Sequence, residues 1–251
     1  MKQQLTDFDK YSVLTFDCYG TLIDWERGIW DALQPILTEN NRLDLTKASA
    51  LQQFSALESN QQGASPTMRY SSVLQTVHAR FAFDNQLTTT DEMNEKFAKS
   101  IADWPSFPDS SDALCALQTK YKLVILSNVD RAGFAASKRK LGVEFDAIYT
   151  AEDIGSYKPD LRNFKYMLRH LSADFGFEKC DVLHVAQSLH HDHTPARKME
   201  LANVWIDRQN ISRGATDWKE SNWGATALVD EVPEIDFVFY TMEEFARAVV
   251  G

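Results

Sequence analysis

Cysteines and long apolar runs are both scarce, and each absence excludes a class of protein. The three cysteines, Cys18, Cys115 and Cys180, lie far apart and form no C-x-x-C pair. We therefore expect reduced thiols in an intracellular protein, with neither a disulfide framework nor a cysteine-ligated zinc site. The purest apolar run, 123–126, has the length of a β-strand and is too short to cross a membrane. Because residues 1–4 lead into no long apolar stretch, the sequence predicts no signal peptide and favours a cytoplasmic location.

Basic residues are also in the minority. The 251 residues include 26 Lys and Arg against 36 Asp and Glu, which gives a net charge of −10. This balance offers no general attraction to nucleic acid or to an anionic membrane, and we predict no partner of either kind. Hydrophobic residues make up 44% and charged residues 25%, a composition typical of a globular protein.

Short apolar runs alternate with helical patterns in most of the chain. Helices are predicted at 133–141, 161–171 and 195–201. Runs typical of buried strands occur at 12–16, 123–126, 147–149, 182–186 and 203–206. Strands separated by helices indicate a parallel sheet that helices cover on both faces, so the predicted fold class is α/β.

A block of helical patterns interrupts this alternation after the first strand. Between residues 24 and 105 the apolar residues recur at helical spacing, apart from an expected loop at 61–66. We therefore divide the chain into an α/β core, residues 1–23 and 106–251, and an inserted helical domain, residues 24–105. The stretch 214–224, which is rich in Trp, Thr and Ser, is predicted to be a surface loop.

Candidate functional residues follow from the rule that ligands bind at the carboxyl ends of parallel strands. Asp17 ends the first strand and shortly precedes Gly20, so its carboxylate could face a pocket as a nucleophile. The alternative is that Asp17 only starts a turn. Ser127 and Asn128 follow the second strand and could donate hydrogen bonds to an anion, or they could cap the next helix.

Two further charged residues fit the same pocket. Lys158 could pair with Asp17 and keep it ionised, and Asp192 could activate a water molecule. The alternatives are a solvated lysine and an acid at a helix start. Histidines at positions 190, 191 and 193 suggest a metal site, but no Cys or His elsewhere has matching spacing. We therefore expect exposed turn histidines, one of them lining the pocket, and no bound metal.

The order of these motifs resembles that of the haloacid dehalogenase superfamily. The quoted motifs are Asp17-x-Tyr19-Gly20-Thr21-Leu22, Ser127-Asn128, Lys158-Pro159 and Ser188-x-x-x-Asp192. The resemblance implies a Rossmann-like core, a helical cap domain that closes over the site, and an aspartate nucleophile.

Within that superfamily the sequence resembles the type II 2-haloacid dehalogenases. Phosphatases of the superfamily carry a second Asp at the position of Tyr19. They also carry a Gly-Asp pair, which helps to hold magnesium, at the position of Ala186-Gln187. A halide leaving group needs no protonation, and substitution at carbon needs no magnesium. The resemblance therefore implies an enzyme with no metal and no cofactor.

For individual residues, the resemblance implies a displacement in two steps. Asp17 displaces halide from the α-carbon of a small 2-haloalkanoic acid, and Lys158 neutralises charge beside it. Water then hydrolyses the resulting ester with the help of Asp192. The implied substrate-binding positions are the backbone of Cys18 and Tyr19, the side chains of Ser127 and Asn128, Thr21 behind the turn, and Ser188 near the water.

Departures from the family pattern leave other functions open. The cap arginine that binds halide would be Arg69 or Arg27, with Arg80 as a weaker candidate. Phe164 stands where a tyrosine is expected, and the serine expected near Ala186 is missing. The alternatives are a hydrolase or phosphatase of another small substrate and a catalytically silent protein of the same fold. We expect a small-molecule substrate, and we consider a homodimer because similar enzymes form dimers.

Overall fold

A parallel β-sheet forms the centre of the computed structural model, which describes residues 8–42, 44–214, 229 and 232–251. Across these residues, six strands form one sheet in the order β3-β2-β1-β4-β5-β6, and every neighbouring pair is parallel. The strands are β1 Val13–Phe16, β2 Lys122–Ser127, β3 Ala147–Thr150, β4 Val182–Ala186, β5 Ala202–Ile206 and β6 Phe237–Phe239. The predicted α/β class with a parallel sheet is confirmed.

The central position of β1 places Asp17 in the middle of one edge of the sheet. This strand pairs with β2 on one side and with β4 on the other. All of its residues are buried, as is usual for a parallel strand covered on both faces. The carboxyl ends of β1, β2 and β4 therefore lie side by side, and the residues that follow them share one site.

Helices occupy most of the chain between β1 and residue 102. Among the described residues of this segment they are α1 Trp25–Glu39, α2 Lys47–Ala64, α3 Tyr70–Asp84 and α4 Asp91–Lys99, which we call the inserted helices. The loop expected at 61–66 is wrong in its first part, since α2 continues to Ala64. Gln and Ala favour a helix, and the single Gly63 is tolerated. The domain boundaries at residues 24 and 105 stay a prediction.

The remaining helices connect the strands and cover the sheet. Within the described ranges they are α5 Ser110–Leu117, α6 Arg131–Leu141, α7 Ala151–Ile154, α8 Leu161–Phe175, α9 Thr194–Lys198, α10 Ile211–Gly214 and α11 Met242–Val250. The helices predicted at 133–141 and 161–171 are present and slightly longer. The one predicted at 195–201 ends at Lys198, because Glu200 takes a left-handed φ of 53° on the way to β5.

Three elements near the C terminus were not predicted: α10, β6 and α11. The short strand β6 extends the sheet beyond β5, and α11 packs against α5. The predicted surface loop at 214–224 lies, after Gly214, outside the described residues. The cysteines are unpaired, as expected. None of the described helices is long and apolar enough to cross a membrane.

Gly28 makes the contact between α1 and the buried Trp104 possible. A Cβ atom at residue 28 would lie 2.3 Å from Cγ of Trp104, whereas a Cβ at Gly63 on α2 would meet nothing within 4 Å. We expect Gly28→Ala to lower the free energy of unfolding by about 1–3 kcal/mol through overpacking. Gly63→Ala, the matched control, should leave it unchanged or raise it by up to about 1 kcal/mol. Urea unfolding measures both, and equal effects of the two substitutions would contradict this account.

Candidate active site

Asp17, Lys158 and Asp192 form a buried cluster at the carboxyl edge of the sheet. The Lys158 Nζ donates hydrogen bonds to Oδ1 of Asp17 at 2.9 Å and to Oδ1 of Asp192 at 2.6 Å. A third bond, of 2.9 Å, goes to the carbonyl oxygen of Leu126 at the end of β2. All three charged side chains are buried. The structure thus brings together the three residues that the sequence suggested for catalysis.

One shared cation gives the two carboxyl groups different proton affinities. Burial raises the pKa of Asp17 above its ordinary value, and the charge of Asp192 adds to this, while the Lys158 ammonium opposes both. For Asp192 burial is outweighed, because Lys158 and a hydrogen bond from His184 hold its pKa well below the usual range. The expectation that Lys158 keeps Asp17 ionised is therefore only half right. The ammonium favours the charge on Asp17, but burial and Asp192 counteract it.

The turn after β1 fixes the second oxygen of Asp17. The hydroxyl of Thr21 donates a hydrogen bond to Asp17 Oδ2 at 2.8 Å and accepts one from the backbone N–H of Gln187 at 2.9 Å. Gly20 has a φ of 93°, in the left-handed region that glycine adopts without strain. Thr21 supports the turn as predicted. Its side chain and that of Cys18 are fully buried, and neither residue lines the cavity described below.

His184 on β4 contacts the site from behind, and sequence reasoning missed it. Its Nε2 lies 3.0 Å from Asp192 Oδ1, and its Nδ1 lies 2.9 Å from the hydroxyl of Thr15 on β1. Because a carboxylate only accepts hydrogen bonds, Nε2 carries the proton and Nδ1 accepts from Thr15. Both contacts to Asp192 use Oδ1, and its Oδ2 is buried with no partner within the described part of the chain. The available signal was a histidine inside an apolar strand.

Ser127 and Asn128 have different tasks. The Asn128 amide donates to the backbone carbonyl of Lys158 at 3.0 Å and accepts from the Lys158 backbone N–H at 2.7 Å. It therefore clamps the loop that carries the lysine. The helix-cap alternative is wrong, since Asp130 is the residue that caps α6. Ser127 Oγ is buried without a hydrogen-bond partner among the described residues and lines the cavity, where it remains available to a ligand.

A cavity of about 200 Å³ lies between the carboxyl edge of the sheet and the inserted helices. This volume is many times what a single water molecule requires, and it suits a small organic molecule. Of the residues predicted for the site, those that line the cavity are Asp17, Tyr19, Ser127, Asn128, Lys158, Ser188 and Asp192.

The arginines proposed for halide binding do not reach this cavity. Arg69 is 70% exposed and pairs with Glu152 on the surface. Arg27 and Arg80 are equally exposed and pair with carboxylates one turn along their own helices. The prediction that Arg69 belongs to the site is therefore wrong, because this residue immediately precedes α3 on the outer side of the fold. The basic residues that do line the cavity, besides Lys158, are Lys47 and Arg208.

The histidines after β4 are less exposed than expected. His193 is fully buried, with Nε2 2.9 Å from the carbonyl oxygen of Ala186 and Nδ1 3.2 Å from Asn203. His191 lines the cavity, and its Nδ1 lies 3.2 Å from Ser188 Oγ. The reason is a π-helical turn over Leu189–His193, which rotates successive side chains toward different sides.

A comparison with models of known protein families identifies the family of this chain. The model of the haloacid dehalogenase-like hydrolase family matches residues 11–189, which is most of the chain. The chain belongs to this family. The predicted resemblance to the haloacid dehalogenase superfamily is therefore confirmed. No protein of curated function matches the sequence.

Several solved structures share the fold of this haloacid dehalogenase-like hydrolase at low sequence identity. The defluorinating L-2-haloacid dehalogenase Rha0230 is 18% identical, covers 96% of both chains and gives a TM-score of 0.74. The L-2-haloacid dehalogenase of Xanthobacter autotrophicus is 18% identical over 96% of this chain and 99% of its own, with a TM-score of 0.75. YfnB of Bacillus subtilis, a HAD-hydrolase bound to magnesium, is 18% identical over 95% and 98%, with a TM-score of 0.72. A likeness at this identity concerns the fold.

The residues at the carboxyl edge of the sheet in this chain do not fit a magnesium ion. Magnesium requires several oxygen ligands in octahedral geometry. The two facing carboxylate oxygens, Oδ1 of Asp17 and Oδ1 of Asp192, already share the Lys158 ammonium. The neighbouring positions hold Tyr19 and Gln187, which carry no carboxylate. In the parts of the chain that the structure describes, no group of three His, Cys, Asp or Glu side chains could hold a metal ion.

Replacing Lys158 by Met leaves Asp17 and Asp192 buried without a cation between them. We expect the free energy of unfolding at neutral pH to fall by about 3–5 kcal/mol. Without the cation both carboxyl groups hold their protons more tightly when folded, so the deficit should grow as the pH rises.

Urea unfolding at several pH values measures the deficit of Lys158→Met. Adding Asp192→Asn should restore part of the stability, because only one buried carboxylate then remains. Lys165→Met, on the exposed face of α8, is the matched control. A deficit that is independent of pH and unchanged by Asp192→Asn would contradict the shared-cation account.

Proposed function

We propose that this hydrolase is a metal-independent dehalogenase of small 2-haloalkanoic acids, with Asp17 as its nucleophile. The observation that carries the proposal is the shared ammonium of Lys158, held between the carboxylates of Asp17 and Asp192, which all line the cavity. An ionised carboxylate beside a fixed cation can attack carbon without a metal ion. Tyr19, at the position where the phosphatases have their second Asp, offers no carboxyl group to protonate an alkoxide leaving group.

In the first step, an Asp17 oxygen attacks the α-carbon of the substrate. A carbon–oxygen bond forms, the carbon–halogen bond breaks, and the halide leaves with the bonding electron pair. Ser127 Oγ and the backbone N–H group of Tyr19, two residues of the cavity lining, hold the substrate carboxylate. Lys47, an exposed cation of the cavity lining, attracts the anionic substrate. Holding nucleophile and carbon in line inside the cavity supplies much of the rate.

In the second step, water attacks the carboxyl carbon of the Asp17 ester. The free oxygen of Asp192, Oδ2, accepts the proton of this water. The ester bond breaks, and the departing alkoxide takes the proton from Asp192 to give a 2-hydroxy acid. The oxygen of the water stays in the carboxyl group of Asp17, which releases the second proton of the water and becomes a carboxylate again. The net reaction converts a haloacid and water into a hydroxy acid, a halide ion and a proton.

Halide release in the presence of a metal chelator tests the proposed function directly. We expect the wild-type protein to release halide from chloroacetate or 2-chloropropanoate in EDTA, and Asp17→Asn to lose at least about a thousandfold of this activity. Turnover in heavy-oxygen water should place label in the Asp17 carboxylate, which mass spectrometry detects. Magnesium-dependent phosphate release from an aryl phosphate, without halide release, would select a phosphatase instead.

His184 should act as a positioning residue for the second step. His184→Phe removes the hydrogen bond to Asp192 Oδ1, and the freed carboxylate no longer holds Oδ2 toward the water. We expect the initial burst of halide to persist and steady-state turnover to fall on the order of tenfold or more. His184→Gln keeps an N–H donor and should recover part of the turnover.

A control separates this role from general damage to the core. His78→Phe removes a buried histidine that stacks on Phe97 in the inserted helices, far from Asp192. It should leave both the burst and the turnover unchanged. Equal losses in the Phe and Gln variants at residue 184, or loss of the burst itself, would show that His184 does not act through Asp192.

A further inference from the structure

The roof of the cavity is polar, although pockets for small molecules are mostly lined by apolar side chains. Ser55, Glu58, Ser59 and Gln62 lie at helical spacing on α2, and all of them line the cavity. Ser55, Glu58 and Gln62 are also buried, with 6%, 8% and 6% of their surface exposed. Burying polar side chains, and a glutamate above all, costs desolvation free energy. Apolar side chains on this face of α2 would avoid that cost if the cavity bound only an alkyl group.

Glu58 has neutral partners only. The hydroxyl of Tyr70 donates a hydrogen bond to its Oε1 at 2.6 Å, and Glu58 also lines the cavity. A carboxylate offers about four acceptor positions, so this donor leaves acceptor capacity for a ligand in the cavity. Burial raises the pKa of Glu58 to about 7, and the hydrogen bond from Tyr70 opposes this only in part. A ligand that brings a donor would therefore meet an acceptor already fixed in place.

The charged side chains that line the cavity also favour a ligand with a hydrogen-bond donor. Its carboxylates outnumber its cations by five to three, the carboxylates being Asp17, Asp24, Glu26, Glu58 and Asp192 and the cations Lys47, Lys158 and Arg208. Lys158 is committed to the catalytic carboxylates, and Arg208 is committed to Asp109 and to the carbonyl oxygen of Thr21. Near Glu58 the cavity thus favours donors and cations over apolar or anionic groups.

We propose that Glu58 and the polar face of α2 form a subsite for a hydrogen-bond donor, a hydroxyl or protonated amine, on the substrate carbon beyond the reacting one. This inference rests on the proposed function only for the identity of the reacting carbon. The substrate class then becomes 2-halo acids with a hydroxylated or aminated tail. The Asp17 end of the cavity performs the displacement, and the α2 end selects the tail.

Substrate pairs that differ only in the tail test the subsite. We expect the wild-type kcat/KM for halide release to be about ten- to a hundredfold higher with 2-chloro-3-hydroxypropanoate or 2-chloro-3-aminopropanoate than with 2-chloropropanoate. Glu58→Gln should remove most of this preference, more strongly for the amine. The readout is the ratio of the kcat/KM values for the donor-bearing and the plain substrate within each variant, so a general change in rate does not affect it.

Glu95→Gln, on the exposed face of α4, is the matched control and should keep the full preference. Thermal unfolding shows whether Glu58→Gln retains the packing of Glu58 against Tyr70 and Trp25. The substrate preference is measured on the wild-type protein alone, so the proposal can be tested even if Glu58→Gln does not fold. Equal kcat/KM values for all three substrates in the wild-type protein would overturn the subsite.

A binding measurement separates failure of the subsite from failure of the proposed function. If no substrate releases halide, the proposed dehalogenase function is wrong. The subsite is then tested by calorimetric binding measurements on the Asp17→Asn protein. Propanoate, 3-hydroxypropanoate and 3-aminopropanoate serve as probes. Tighter binding of the two donor-bearing acids, lost when Glu58→Gln is added, supports the subsite. Equal binding of all three probes overturns it.

Discussion

One buried ammonium group organises the site of this hydrolase. Lys158 joins the end of β1 through Asp17, the end of β2 through the Leu126 carbonyl, and the turn after β4 through Asp192. A buried cation of this kind is stable only when carboxylates and carbonyl oxygens surround it, and the carboxylates are stable only with the cation. The position of β1 between β2 and β4 is what brings these groups within reach of one another.

A single cation between two carboxylates makes their roles unequal. Asp192 receives hydrogen bonds from both Lys158 and His184 and holds its charge firmly, while burial leaves Asp17 less stabilised. A carboxylate that is poorly stabilised in the resting site is the better nucleophile once water is excluded. Both hydrogen bonds to Asp192 use Oδ1 and leave its Oδ2 without a partner among the described residues, whereas both oxygens of Asp17 accept a hydrogen bond. The two carboxyl groups therefore differ in proton affinity and in hydrogen bonding before any ligand binds.

The floor and the roof of the cavity have separate origins in the chain. The floor consists of strand ends and follows the architecture shared with the solved haloacid dehalogenases at 18% identity. The roof belongs to α2, whose polar face, including Glu58 and Gln62, depends on side chains that the fold does not require. Chemistry and selectivity can therefore vary independently, because different segments of the chain supply them.

The sequence by itself determined what depends on local pattern. Apolar runs and turn residues located β1 to β5, and Asp17, Lys158 and Asp192 were found because parallel strands end at a common edge. It did not find β6, whose three residues are too few for a periodic signal. It also placed Arg69 in the site, since a charge in a loop carries no information about the direction of its side chain.

Only the tertiary structure decided which polar residues are buried together. The sequence reading placed His184 inside an apolar strand and did not single out Glu58. Each side chain is held in the fold by a partner on another element, His184 by Thr15 on β1 and Glu58 by Tyr70 on α3. Asn128 lines the cavity, and its amide also holds the backbone of Lys158, which the sequence did not indicate. Local periodicity fixes which face of an element is apolar, but only packing brings together groups that are distant in the sequence and removes them from water.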